Sequence, residues 1–157
     1  MAIKAKSIAL IIDTKALIDK MEENESTFNQ EGFILSDFKL KSIQVENESE
    51  FLFLTAFQNI QFSFLLNDLA IFQANYILTK SFMENDDICK NSYDSILKGY
   101  ETRSHKLNKT ELKLLNRLIL FNLIIEYFKF EEKRQIFDVE KFSKVFDFFY
   151  LDDNLTF

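Results

Sequence analysis

His105 is the only histidine in the chain and Cys89 the only cysteine. With the carboxylates, they are the side chains best suited to nucleophilic, acid–base or metal-assisted chemistry. A single imidazole excludes any metal site built on several histidines. A Ser/His/Asp arrangement would have to use His105, in the polar run ETRSHKLNK, which has no Gly-x-Ser-x-Gly context. That polarity places His105 on the solvated surface. Cys89 lies in DDICKN, where neighbouring negative charge disfavours the reactive thiolate. The densest acid clusters are Glu84, Asp86 and Asp87, and Asp152 with Asp153. Neither follows the calcium-loop pattern of alternating Asp/Asn with a glycine at the sixth position and a glutamate at the twelfth. No Gly-rich phosphate loop is present. The expectation is a protein without catalytic residues, metal or cofactor.

Helical ribonucleases of the HEPN type carry an Arg, four to six residues, then a His. Here Arg103 precedes His105 with one residue between them, so their diagnostic motif is missing. The chain has 157 residues, which fits one domain. Proline is absent, and the only glycines are Gly32 and Gly99. Both residue types interrupt helices, so their scarcity favours long helices. A lone cysteine forms no internal disulfide and fits a reducing compartment. Lys4 and Lys6 precede a short apolar run, as in a signal peptide, but Asp13 and Lys15 follow at once without a small-residue cleavage site. A cytoplasmic location is expected.

The elements that would position these side chains are mostly helical. Residues 8–24 read as a helix, or as a short strand turning into one at an Asp13 N-cap. Residues 33–45 alternate apolar and polar, which predicts a small β element. Asn47 and Glu50 form a candidate capping box before a long helix over 49–82, with Phe53, Phe57, Ile60, Phe64 and Ile71 at helical spacing. The pieces FLFLT and IQFSF inside it also alternate as strands do. Between Phe51 and Thr79 the only formal charge is Asp68. Seven Gln, Asn and Asp residues break every window there that could span a membrane, so no membrane segment is expected. This stretch is read as a hub helix, one side of which is a candidate homodimer face. Helices are further predicted over 91–105 and 109–134, the second opened by an Asn108–Glu111 capping box. A last helix runs from an Asp138 cap to about Tyr150, with Phe142, Val145, Phe146 and Phe149 inward. The expected fold is mainly α: a compact, helical bundle-like single domain over 1–157, with four to five helices and a small β element around 33–45.

Charge divides unevenly. Residues 1–89 hold 7 Lys/Arg and 14 Asp/Glu, a net of −7, while residues 90–157 hold 12 and 11, a net of +1. Two surfaces follow. Glu22, Glu23, Glu46 and Glu48 mark an acidic face suited to a basic protein groove. Lys106, Lys109, Lys113 and Arg117 fall at spacings of three, four and four, a basic stripe suited to RNA, with Tyr93 and Tyr100 nearby. The acidic face carries the first expectation. It is a non-catalytic protein-binding inhibitor, from a phage or mobile element, that blocks a nucleic-acid-handling defence enzyme. In size, acidity and want of motifs the chain is similar to anti-CRISPR proteins. An immunity protein for a nuclease toxin is a second version of the same expectation. The alternative is a small helical RNA-binding subunit that uses the basic stripe.

Overall fold

The computed structural model describes residues 8–16, 19, 31–35, 43–45, 52–54, 60–78, 87–132 and 139–151. The protein is mainly helical. Residues 8–16 and 19 are helical (α1). Strands β1 (Glu31–Leu35), β2 (Ile43–Val45), β3 (Leu52–Leu54) and β4 (Ile60–Phe64) follow. Then come α2 (Leu65–Tyr76), α3 (Asp87–Glu101), α4 (Lys109–Glu132) and α5 (Val139–Leu151). Among the described residues no helix is long and apolar enough to cross a membrane.

The strands form two antiparallel pairs, one nested inside the other. β1 pairs with β4, Gly32 opposite Ser63 and Ile34 opposite Gln61. β2 pairs with β3, Gln44 opposite Phe53. The β element expected at 33–45 is present in β1 and β2. The long helix expected over 49–82 is not: its first part is β3 and β4, and helix begins only at Leu65. Apolar residues are so dense there that they satisfy both periods. Pairing with β1 and β2 decides between them, and a local window does not contain it. Ile60, which helical spacing grouped with Phe53, Phe57, Phe64 and Ile71, is 56% exposed. Asp13 lies inside α1 rather than at its start. The Asn47–Glu50 and Asp138 caps fall outside the described residues.

α4 is the hub. Leu114, Leu115, Asn116 and Arg117 are all buried, and four successive residues exceed one helical turn. The helix is therefore covered on every side at that level. Further along, Ile119, Leu120, Leu123, Ile124 and Tyr127 continue the core. α2 packs against it through Leu66, Ala70 and Ala74, with Ile77 just past its end also in the core, the small alanines permitting close approach of the two axes. α5 adds Phe142, Val145, Phe146 and Phe149, the four residues its periodicity placed inward. The Phe142 and Tyr127 rings lie 5.1 Å apart, joining α5 to α4. α3 is held by Tyr93, whose hydroxyl donates to Asn116 Oδ1 at 2.8 Å, and by Leu97. α1 contributes Leu10.

α2 starts directly after β4, with no residue between them. Its first-turn Asp68 reaches back to the ladder: the Leu35 N–H donates to Asp68 Oδ2 at 2.8 Å. The charge-poor stretch is thus part ladder and part helix, with α2 packed on both α4 and β1.

Candidate functional site

The densest polar construction among the described residues is the corner between α3 and α4. α3 ends where the Thr102 N–H donates to the Lys98 carbonyl and the Arg103 and Ser104 N–H groups donate to the Tyr100 carbonyl. These bonds satisfy carbonyls that a helix end leaves open. The link 102–108 then crosses to α4. Asn108 Oδ1 accepts from the Thr110 and Glu111 N–H groups, at 2.9 and 3.0 Å. Glu111 Oε2 accepts from the Asn108 N–H at 2.8 Å. This reciprocal pair is the capping box read from the sequence. Glu101 Oε1 accepts from the Leu107 N–H at 3.0 Å. Two carboxylates, one from each helix, therefore pin the link.

His105 is exposed, as its surroundings in sequence implied, but it is not merely solvated. Its Nε2 lies 2.9 Å from Glu111 Oε1. A carboxylate only accepts, so Nε2 carries the hydrogen. In the neutral ring Nδ1 is then an acceptor, 3.4 Å from Ser104 Oγ. Ser104, His105 and Glu111 thus line up in the order nucleophile, base, carboxylate. The chemistry stops there. The Ser104–His105 contact is at the outer limit of a hydrogen bond. The other Glu111 oxygen is committed to the cap, and both Ser104 and His105 are exposed, without cover from the described residues. The gap lined by Leu69, Gln73, Tyr93, Ile96, Leu97, Leu115 and Ile119 holds none of the three residues. The arrangement fastens the corner.

The basic stripe is only partly a surface. Lys106, Lys109 and Lys113 are exposed, Lys106 in the link and the other two on α4. Arg117 is 6% exposed and belongs to the core. The i, i+4 row continues along α4, but at the level of Leu114–Arg117 the helix is buried on every side. Tyr93 is also buried, so it cannot stack on a base. Burial, then Asp94 and Glu101, raises its hydroxyl pKa above the usual tyrosine range. In place of these, Lys98 and Arg103 are exposed at the same corner. The acidic-face residues Glu22, Glu23, Glu46 and Glu48 lie outside the described residues. Cys89 is in the first turn of α3. Among the described residues no group of three or more His, Cys, Asp or Glu could hold a metal ion.

Sequence reasoning missed the partners, or the burial, of three polar residues. The His105–Glu111 contact spans six residues across a turn, a spacing without periodic signature. Gln73 is 1% exposed, and neither side-chain amide atom has a hydrogen-bond partner among the described residues. Asp68 was singled out as the lone charge of its stretch, but its strap to β1 depends on a strand partner distant in sequence.

One further surface is apolar. On α1, Leu10 and Thr14 face the core, while Ile8, Ile11 and Ile12 are 61%, 53% and 63% exposed. Those three positions follow i, i+3, i+4 spacing and share one side of the helix. In comparisons with protein-family models, curated proteins and solved structures, nothing matches this chain.

Proposed function

We propose that this is a non-catalytic binding protein whose ligand is another protein, and that it blocks a basic, nucleic-acid-handling enzyme. One observation carries the reading: three isoleucines on one side of α1 stand more than half exposed, while the other side of that helix is buried. Single exposed apolar residues are ordinary, but a contiguous stripe is a feature of docking surfaces. An amphipathic helix offering i, i+3, i+4 apolar anchors fits a groove on a partner. Lys4, Lys6, Lys15 and Lys20 flank the helix against Asp13 and Asp19, and acids prevail further along, to a net charge of −7 over residues 1–89. A groove that accepts this helix would therefore be apolar at its centre and basic at its rim. Basic grooves of that kind hold RNA or DNA in nucleases and related enzymes. A phage or mobile-element inhibitor in the manner of anti-CRISPR proteins, or an immunity protein for a nuclease toxin, would act so from the cytoplasm.

The test is affinity purification from the native host, with and without nuclease treatment, followed by assay of the captured enzyme. The expected partner survives nuclease treatment and loses activity on binding. Ile8→Glu with Ile12→Glu should abolish capture, and reversing Glu22, Glu23, Glu46 and Glu48 to Lys should weaken it. A partner held only through nucleic acid, or capture indifferent to the α1 substitutions, would refute the reading.

A further inference from the structure

We infer that the α3–α4 corner is a docking surface for the sugar–phosphate backbone of a nucleic-acid duplex. It uses residues of α3, the link and α4, none of α1, and stands independently of the protein-binding reading.

Residues 98–113 contain Lys98, Arg103, Lys106, Lys109 and Lys113 against Glu101 and Glu111. In sequence the two acids sit among the cations and dilute them. In the structure both carboxylates are turned onto the backbone of the link: Glu101 onto Leu107 N–H, Glu111 onto Asn108 N–H and the His105 ring. All five Lys and Arg side chains are exposed. The acids thus work as structural acceptors tied to the link, and the corner keeps five exposed cations against two carboxylates, a net of +3 over residues 98–113. Because both ends of the link are hydrogen-bonded, the cations project from a rigid base, which lowers the ordering cost of binding.

The chemistry of the surface selects the ligand. Tyr93 is buried and Tyr100 is packed against the core. Without an exposed aromatic platform among the described corner residues, bases have nothing to stack on. Single-strand binders depend on such stacking. Lysines contacting phosphates need only a regular backbone, which a duplex presents. Recognition is then independent of sequence. With a net charge of −6 on the whole chain, long-range attraction is weak and binding depends on these contacts.

The experiment is fluorescence anisotropy of the full chain with three labelled probes: a DNA duplex, an RNA duplex of the same sequence, and a thymidine single strand. Both duplexes should bind, ahead of the single strand. The two duplex arms distinguish B-form from A-form backbone. For about four phosphate contacts, affinity for the DNA duplex should fall on the order of 10²-fold between about 50 and about 200 mM salt. Lys106→Glu with Lys109→Glu should weaken duplex binding by roughly tenfold or more and flatten the salt slope by about one unit per lysine. Both residues are exposed, and circular dichroism checks that the fold persists. Lys106→Gln with Lys109→Gln should give the same flattening without introducing repulsion. Lys144→Glu, on α5, should leave binding unchanged. No binding at low salt, preference for the single strand, or duplex binding that survives both double substitutions would overturn the inference.

Discussion

Asp68 and Gln73 sit five residues apart on α2 and illustrate opposite fates of a buried polar group. Asp68 has one oxygen on the Leu35 N–H. Its other oxygen is buried, without a hydrogen-bond partner among the described residues. Burial raises its pKa above 3.8, and the Leu35 N–H opposes that more weakly. The folded chain therefore takes up this proton at higher pH than the unfolded chain. The contribution of Asp68 to stability falls as pH rises from 3.8 through the folded value and recovers on acidification. Asp68→Asn keeps an acceptor for Leu35 without the charge. Urea melts at neutral pH should show it as stable as the parent or more so, with the acid-side slope flattened. Asp68→Ala removes the strap and should cost about 1–2 kcal/mol. Equal effects of the two substitutions would show that the strap contributes nothing. Gln73 has neither amide atom paired among the described residues and is lined by apolar side chains. Gln73→Leu should therefore raise stability by about 1 kcal/mol or more. A fall in the melting temperature would mean that the amide has a partner worth keeping.

At the scale of elements, the helix boundaries that carry their own chemistry were legible before the fold. Asn108 and Glu111 announce the start of α4 because a capping box is local: both partners lie within four residues. Asn108→Ala should cost about 1 kcal/mol in the same melts. The inward row Phe142, Val145, Phe146 and Phe149 was legible too, because an amphipathic helix records its buried side in its period. β3 and β4 were not, since Phe53, Phe57, Ile60 and Phe64 fit helical spacing while the neighbouring residues also alternate. Their strand partners lie earlier in the chain, at Ile43–Val45 and Glu31–Leu35. At the candidate site, the cationic positions Lys106, Lys109 and Lys113 were readable from spacing. The loss of Arg117 to the core was not, because one helix does not state where its neighbours begin to cover it. Gly99 weakens α3 as its sequence suggests. A Cβ there would meet nothing within 4 Å. Gly99→Ala should stabilise the protein by roughly 0.5–1 kcal/mol, read from the thermal midpoint. A loss of stability would mean that the last turn of α3 needs the freedom of glycine.

For the whole molecule, the arrangement is a wrapped helix with unequal surroundings. α1 has one apolar side bare, the α3–α4 corner gathers cations, and α4 is buried on every side at Leu114–Arg117. Leu120→Ala, with the side chain fully buried, should cost about 2–5 kcal/mol. The enclosure of α4 also sets a clock for deuterium. Water cannot reach the amides of 114–117 by peeling away a single neighbour, because other elements still cover them. Their protons should exchange last, through opening of the entire domain, with a free energy equal to that from urea unfolding. The amides of α1 should exchange earlier, through detachment of that helix alone. Protection in α1 equal to that in α4 would contradict this order. A molecule loosened first at α1 carries its exposed isoleucine stripe on its most labile helix, and a partner that seized the stripe, as proposed, would slow isotope uptake there while leaving α4 unchanged.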